Sequence, residues 1–293
     1  MSAEYICPVL TAFKEDGSAD MEAMKALFDH LIAGGLDGIA IMGSSGEFYS
    51  MTLEEAGNFA KASLDYLRGK IPVYVGTGRL TMKETVKLSA CALEWGAAGV
   101  MIVGPYYIGA DKEGIFTYYD QVTRQIDGDI ILYNYPDRTG YDITPDIVLR
   151  LLERHKNIVG IKDTVAAPSH TRELIRSVKA RFPQFRVYSG YDDNFVHVLL
   201  SGGNGCIAAL SNVRPRLCAR WRDAWNQKDL ETVTEIQRTI DGFMDFYKIS
   251  TPFMPAMKYA LRKMGLPISL LCKLPALPVS QQQTQQVDRV LEK

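Results

Sequence analysis

The chain has 293 residues, 47% hydrophobic and 23% charged, proportions that exclude a disordered polypeptide. Lys and Arg total 33 against 34 Asp and Glu, a formal net charge of -1. No global basic field exists to hold a nucleic acid or an anionic membrane.

The length permits two domains of about 150 residues, or one large barrel with an appendage. Residues 1–10 carry Glu4 and Pro8 but no basic segment and no sustained apolar run, so no secretory signal is expected. No stretch approaches the roughly 18 apolar residues of a membrane helix. Cys7, Cys91, Cys206, Cys218 and Cys272 form no CxxC pair and no zinc spacing, which suits reduced thiols in a cytoplasm.

In chain order, the first strand is expected near Tyr5–Leu10. Further short apolar runs follow at Gly38–Met42, Pro72–Val75, Gly99–Val103, Ile130–Tyr133, Ile158–Ile161, Arg186–Ser189 and Gly205–Ala209. They lack polar alternation, as strands covered on both faces do. The segments between them read as amphipathic helices. Leu53, Ala56, Ala60, Leu64 and Leu67 recur at three- and four-residue steps. Thr52 with Glu55 forms a capping-box pattern, Ser18 or Asp20 caps the first helix, and Thr81 with Glu84 caps a later one.

Eight such units over about 225 residues, about 28 each, predict a (β/α)8 TIM barrel over residues 1–225. An open doubly wound sheet would announce itself with GxGxxG after the first strand, and that is absent. Beyond residue 226 the strand signal stops. Leu230, Val233, Ile236, Ile240, Phe243 and Tyr247 predict one long helix, Pro255–Met264 another, and Ser280–Lys293 a polar last one. Residues 226–293 thus form a C-terminal helical appendage.

In such a barrel the chemistry sits at the C-terminal ends of the strands. Lys162 ends the sixth strand. Burial disfavours an ammonium, and a neutral amine adds to a ketone to give a Schiff base, an electron sink for C–C cleavage. The plain alternative is a lysine paired with a carboxylate such as Asp163. Tyr133 ends the preceding strand and can shuttle protons beside the amine, or serve only as an interior aromatic. Ser44 and Ser45 lie in a Gly-flanked turn suited to a small carboxylate, or to capping a helix.

The series GSSGE, PYY, YNYP, IKD, SGYDD and GxxGCIAAxSN resembles the dihydrodipicolinate synthase / N-acetylneuraminate lyase family of pyruvate-dependent class I aldolases, in order and spacing, over essentially the whole chain. The resemblance implies a TIM barrel with a C-terminal helical domain, usually a homotetramer, with no metal or organic cofactor. It implies that Lys162 forms the Schiff base with pyruvate and that Tyr133 is the acid/base. Ser45 would bind the pyruvate carboxylate, and Ser44 would hydrogen-bond Tyr133. Tyr107 would complete a proton relay from a neighbouring subunit, and Ile207 would line the pyruvate site.

Branch signals differ. Arg138, in PDRTG, matches the arginine with which the synthases bind the carboxylate of aspartate semialdehyde. Gly190, Asp192 and Asp193, in SGYDD, resemble the sugar-acid lyases, where the acidic pair contacts substrate hydroxyls; the pair could instead cap the following helix. Thr164 resembles the hydroxyl-binding threonine of that branch. Ala209 stands where neuraminate lyases carry a serine, which argues against sialic acid. The leading expectation is an aldolase that cleaves a 2-keto-3-deoxy sugar acid to pyruvate and an aldehyde. The alternatives are dihydrodipicolinate synthase, a dehydratase or hydratase-aldolase using the same Schiff base, and an inactive pyruvate-binding homologue. A metal-dependent hydrolase is disfavoured, because His30, His155, His170 and His197 fall in or near helices with no HxH.

Overall fold

The computed structural model describes residues 2–293. Eight parallel strands close into a barrel in chain order. They are β1 (Glu4–Pro8), β2 (Gly38–Ile41), β3 (Val73–Gly76), β4 (Gly99–Val103), β5 (Ile130–Asn134), β6 (Ile158–Asp163), β7 (Arg186–Ser189) and β8 (Gly205–Ile207). Every residue of β2, β3, β4, β5 and β8 is buried, which is why these runs show no alternation in the sequence. The expected TIM barrel is therefore the observed architecture.

The chain divides into two compact units. One holds Val73–Ile207, with β3 to β8 and their helices. The other holds Ala3–Pro72 and Ala208–Lys293, with β1, β2 and the C-terminal helices.

The helix caps follow the sequence. Asp20 accepts from the Glu22 and Ala23 amides and starts the helix Met21–Ala33. Thr52 and Glu55 make the full capping box of Leu53–Leu67. Thr81 accepts from the Glu84 amide ahead of Met82–Glu94.

Two features depart from the sequence reading. The long C-terminal helix stops at Phe243, and Tyr247 belongs to a separate turn, Phe246–Ile249. The Lys293 ammonium bonds the Gly242 carbonyl at 3.0 Å and the Asp245 carboxylate at 2.7 Å there, which gives the free carbonyl a partner where the helix ends. The Tyr247 hydroxyl accepts the Ala209 amide at 3.2 Å, a bond a continuous helix is not needed to make. The second departure lies in register. Ile130 pairs with Ile158, but Ile131 pairs with Gly160, so Val159 is an extra residue in β6. This bulge sets Tyr133 opposite Lys162 and Asn134 opposite Asp163. Gly160 is required beside it: a Cβ there would lie 2.7 Å from the Arg186 carbonyl of β7.

Candidate active site

Within the unit that carries β3 to β8, the last residues of β5 and β6 converge. Tyr133 and Lys162 are register partners, both buried. The Lys162 ammonium lies 4.2 Å from the centroid of the Tyr133 ring, within cation–π range. Lys162 makes no ion pair among the described residues. Its neighbour Asp163 is committed elsewhere. It accepts from Asn134 at 2.8 Å, His170 at 2.9 Å and Thr171 at 2.6 Å. The plain alternative, a lysine neutralised by Asp163, is thus not realised.

An aromatic row extends from this pair. The Tyr133 and Tyr135 rings stack with centroids 6.1 Å apart. The exposed Arg138 sits 5.7 Å over the Tyr135 ring, and a hydrogen bond with Tyr135 raises its pKa. Burial first, then the Tyr135 charge, pushes the Tyr191 phenol well up.

At the ends of β6 and β7, Thr164 and Gly190 interlock. The Thr164 hydroxyl is buried and has no hydrogen-bond partner. A Cβ at position 190 would lie 1.9 Å from that oxygen, so only glycine fits. Asp192 and Asp193 part company. Asp192 is fully buried and Asp193 is exposed. They lie in a single turn, Asp192–Asn194, directly ahead of the helix Phe195–Leu200. Ile207, the last residue of β8, is fully buried. Tyr107, after β4, holds φ +84° and is 92% exposed. Leu80 and Ile108 are exposed large apolar residues in the same unit.

In the other unit, Ser44 and Ser45 form a 3-10 turn after β2 (Ser44–Gly46), with Ser45 buried. The next residue, Glu47, takes the left-handed conformation at φ +57°. Its carboxylate and the Lys258 ammonium form an ion pair at 2.6 Å, and neither side chain is exposed to solvent. The second Glu47 oxygen accepts the Lys273 amide at 2.6 Å, and Lys258 also donates to the Leu271 carbonyl at 2.7 Å. The serine turn is therefore anchored to the helix Met254–Lys263 and to the segment after it.

Sequence reasoning gave no role to Lys258, Asn134, Asp142 or His170. The Glu of GSSGE and the Asn and Asp of YNYP and IKD were visible as letters. Their partners lie 7 to 226 positions away, and no local spacing reports such pairs. Among the described residues no group of three His, Cys, Asp or Glu side chains is arranged to hold a metal ion. No helix among them is long and apolar enough to cross a membrane.

A closed (β/α)8 barrel with a buried lysine and tyrosine paired at its strand ends defines a class, the class I aldolases, lyases that work through a lysine Schiff base. The family model described as the dihydrodipicolinate synthetase family matches residues 1–293. The chain belongs to that family. It is 36% identical over 286 residues to the probable 2-dehydro-3-deoxy-D-pentonate aldolase YjhH of Escherichia coli K12, with 98% of this chain and 95% of the relative covered. It is 32% identical over 284 residues to the 4-hydroxy-tetrahydrodipicolinate synthase of Kosmotoga olearia, covering 97% and 95%. It also matches the crystal structure of YagE from E. coli K12, a prophage protein belonging to the dihydrodipicolinic acid synthase family, in complex with pyruvate. That match has a TM-score of 0.96 at 35% identity, over 99% of this chain and 97% of the other.

Proposed function

We propose that this enzyme cleaves a 2-keto-3-deoxy sugar acid to pyruvate and a short hydroxyaldehyde. The observation that carries the reading is the buried Lys162 amine over the Tyr133 ring, without a carboxylate partner. The likeness to YjhH, a probable 2-dehydro-3-deoxy-D-pentonate aldolase, supports the substrate class.

Ser45 binds the substrate carboxylate. The Lys162 amine adds to the C2 ketone, and the carbinolamine loses water to give an iminium. Tyr133 takes the proton of the C4 hydroxyl as the C3–C4 bond breaks. The bonding pair moves into the iminium, which becomes an enamine, and the aldehyde leaves. Protonation of the enamine at C3 and hydrolysis return pyruvate and the free amine. Ser44 passes protons to and from Tyr133, and Tyr107 of a neighbouring subunit completes the relay. Its 92% exposure supports a place in an oligomer, a homotetramer by family resemblance. Thr164, Asp192 and Asp193 receive the sugar hydroxyls beside Gly190, and Ile207 lines the pyruvate end. The unpartnered Thr164 hydroxyl supports that assignment. Residues 1–225 supply the barrel and 226–293 the helical appendage. Five free cysteines suit a reducing cytoplasm.

Pyruvate release from 2-keto-3-deoxygluconate and from 2-keto-3-deoxypentonate tests the proposal; none from either overturns it. Arg138 favours one competing reading, condensation of pyruvate with aspartate semialdehyde, since a guanidinium suits a second carboxylate. Turnover of that aldehyde, lost in Arg138→Ala, would establish it.

A further inference from the structure

We infer that His170 is a positioning residue, which holds Tyr133 and Lys162 in register by closing a ring of hydrogen bonds behind them. The inference rests on the Schiff-base reading above.

The ring has four members. Asn134 follows Tyr133 at the end of β5, and Asp163 follows Lys162 at the end of β6. Side chains alternate along a strand, so Asn134 and Asp163 face the helix layer while Tyr133 and Lys162 take the opposite face. Asn134 and Asp163 are themselves register partners. The Asn134 amide donates to Asp163 at 2.8 Å and to Asp142 at 2.7 Å, and its oxygen accepts the Ile143 amide at 3.0 Å. His170, on the helix Pro168–Lys179, completes the circuit. Its Nδ1 meets Asp163 at 2.9 Å and its Nε2 meets Asp142 at 2.8 Å.

Carboxylates only accept, so both ring nitrogens must donate, and His170 is an imidazolium. The hydrogen bonds it donates to Asp142 and then to Asp163 lift its pKa from 6.5 to about 10. One positive ring thus separates two carboxylates. Without it, Asp142 and Asp163 would share only the Asn134 amide and would repel each other. The strand ends that carry the reacting pair would lose their common anchor. A displacement of about 1 Å near a reacting centre costs on the order of a hundredfold in rate, and outer partners of a site are commonly worth 10–100-fold.

The test measures steady-state pyruvate release and the rate at which borohydride traps pyruvate on Lys162, read by mass. His170→Phe is expected to lower kcat and the trapping rate together by about 10–100-fold, with KM within about threefold. Asp142→Asn is the conservative variant. Its amide can donate to a neutral His170 while its oxygen accepts from Asn134, so the ring re-forms and kcat stays within about threefold. Wild-type trapping in a folded His170→Phe protein overturns the inference and leaves the Schiff-base reading standing. So does a loss that merely tracks the fraction unfolded at the assay temperature. If His170→Phe does not fold, Asp142→Leu breaks the same ring, and wild-type kcat in that variant overturns it equally. A wild-type protein that takes no pyruvate at all removes the Schiff-base reading itself.

Discussion

Tyr133 and Lys162 face each other across the β5–β6 ladder, with the ammonium 4.2 Å from the ring centroid. The ring and the hydroxyl of Tyr133 have separable duties. In the proposed mechanism the ring face stabilises a cation above it, and the hydroxyl moves protons. Tyr133→Phe keeps the first and removes the second. Turnover should fall by about 10²–10⁴-fold, while borohydride still traps pyruvate on the lysine. Lys162→Ala should show neither turnover nor a trapped mass. Substantial pyruvate release from Lys162→Ala would contradict the assignment.

The Glu47–Lys258 ion pair is fully enclosed, which makes each partner depend on the other. Losing one charge leaves its counterpart buried and alone, at a cost of about 3–5 kcal/mol. Glu47→Gln and Lys258→Met should each lower the melting temperature by several degrees. The double variant should lose less than the two singles combined. Additive losses in a double-mutant cycle would show that the pair is not coupled. Because Glu47 ends the Ser44–Gly46 turn, Glu47→Gln should also raise KM for pyruvate-type substrates.

The barrel was legible because eight buried parallel strands leave eight unbroken apolar runs, and β4 and β7 span the segments expected from those runs. Lys162 and Tyr133 were legible because a polar residue ending such a run has a fixed address at the barrel rim. The bulge at Val159 was not legible. It is a pairing property of two strands, and either sequence alone reads as an ordinary run. The split between buried Asp192 and exposed Asp193 was hidden for a similar reason, since neighbours in a turn need not share a face. The break before Tyr247 escaped because apolar spacing continues through it, while the residue that meets the helix end, Lys293, is remote in sequence.

Gly190 should tolerate no side chain. An alanine Cβ would stand 1.9 Å from the Thr164 hydroxyl and 2.9 Å from the Thr164 backbone Cα. Overpacking of this kind costs about 1–3 kcal/mol. Gly190→Ala should therefore destabilise the protein and lower kcat/KM for the deoxy sugar acid. Adding Thr164→Ala should restore part of the stability but none of the activity, because the hydroxyl is gone. Thr164→Val removes that hydroxyl with the shape kept, and should lower kcat/KM about tenfold with little change in melting temperature. Equal kinetics for Thr164→Val and wild type would remove Thr164 from the substrate site.

His170 gives stability a dependence on pH that can be isolated. Its pKa is raised from 6.5 to about 10 by the bonds to Asp142 and Asp163. The folded state thus holds a proton that the unfolded chain releases near pH 6.5. A raised pKa contributes stability that is fully present below about pH 6.5 and is lost as pH climbs through about 10. Asp142 works in the opposite direction. Burial pushes its carboxyl up, but the His170 hydrogen bond and charge more than offset this and leave it below 3.8. Its contribution is lost only in acid. Between pH 7 and 10 the wild type should therefore lose more stability than His170→Phe, in which this proton is absent. Other groups that titrate in that range are common to both proteins and cancel in the difference. Urea melts across the interval measure it. Parallel stability curves for the two proteins would mean that His170 carries no extra proton in the folded state.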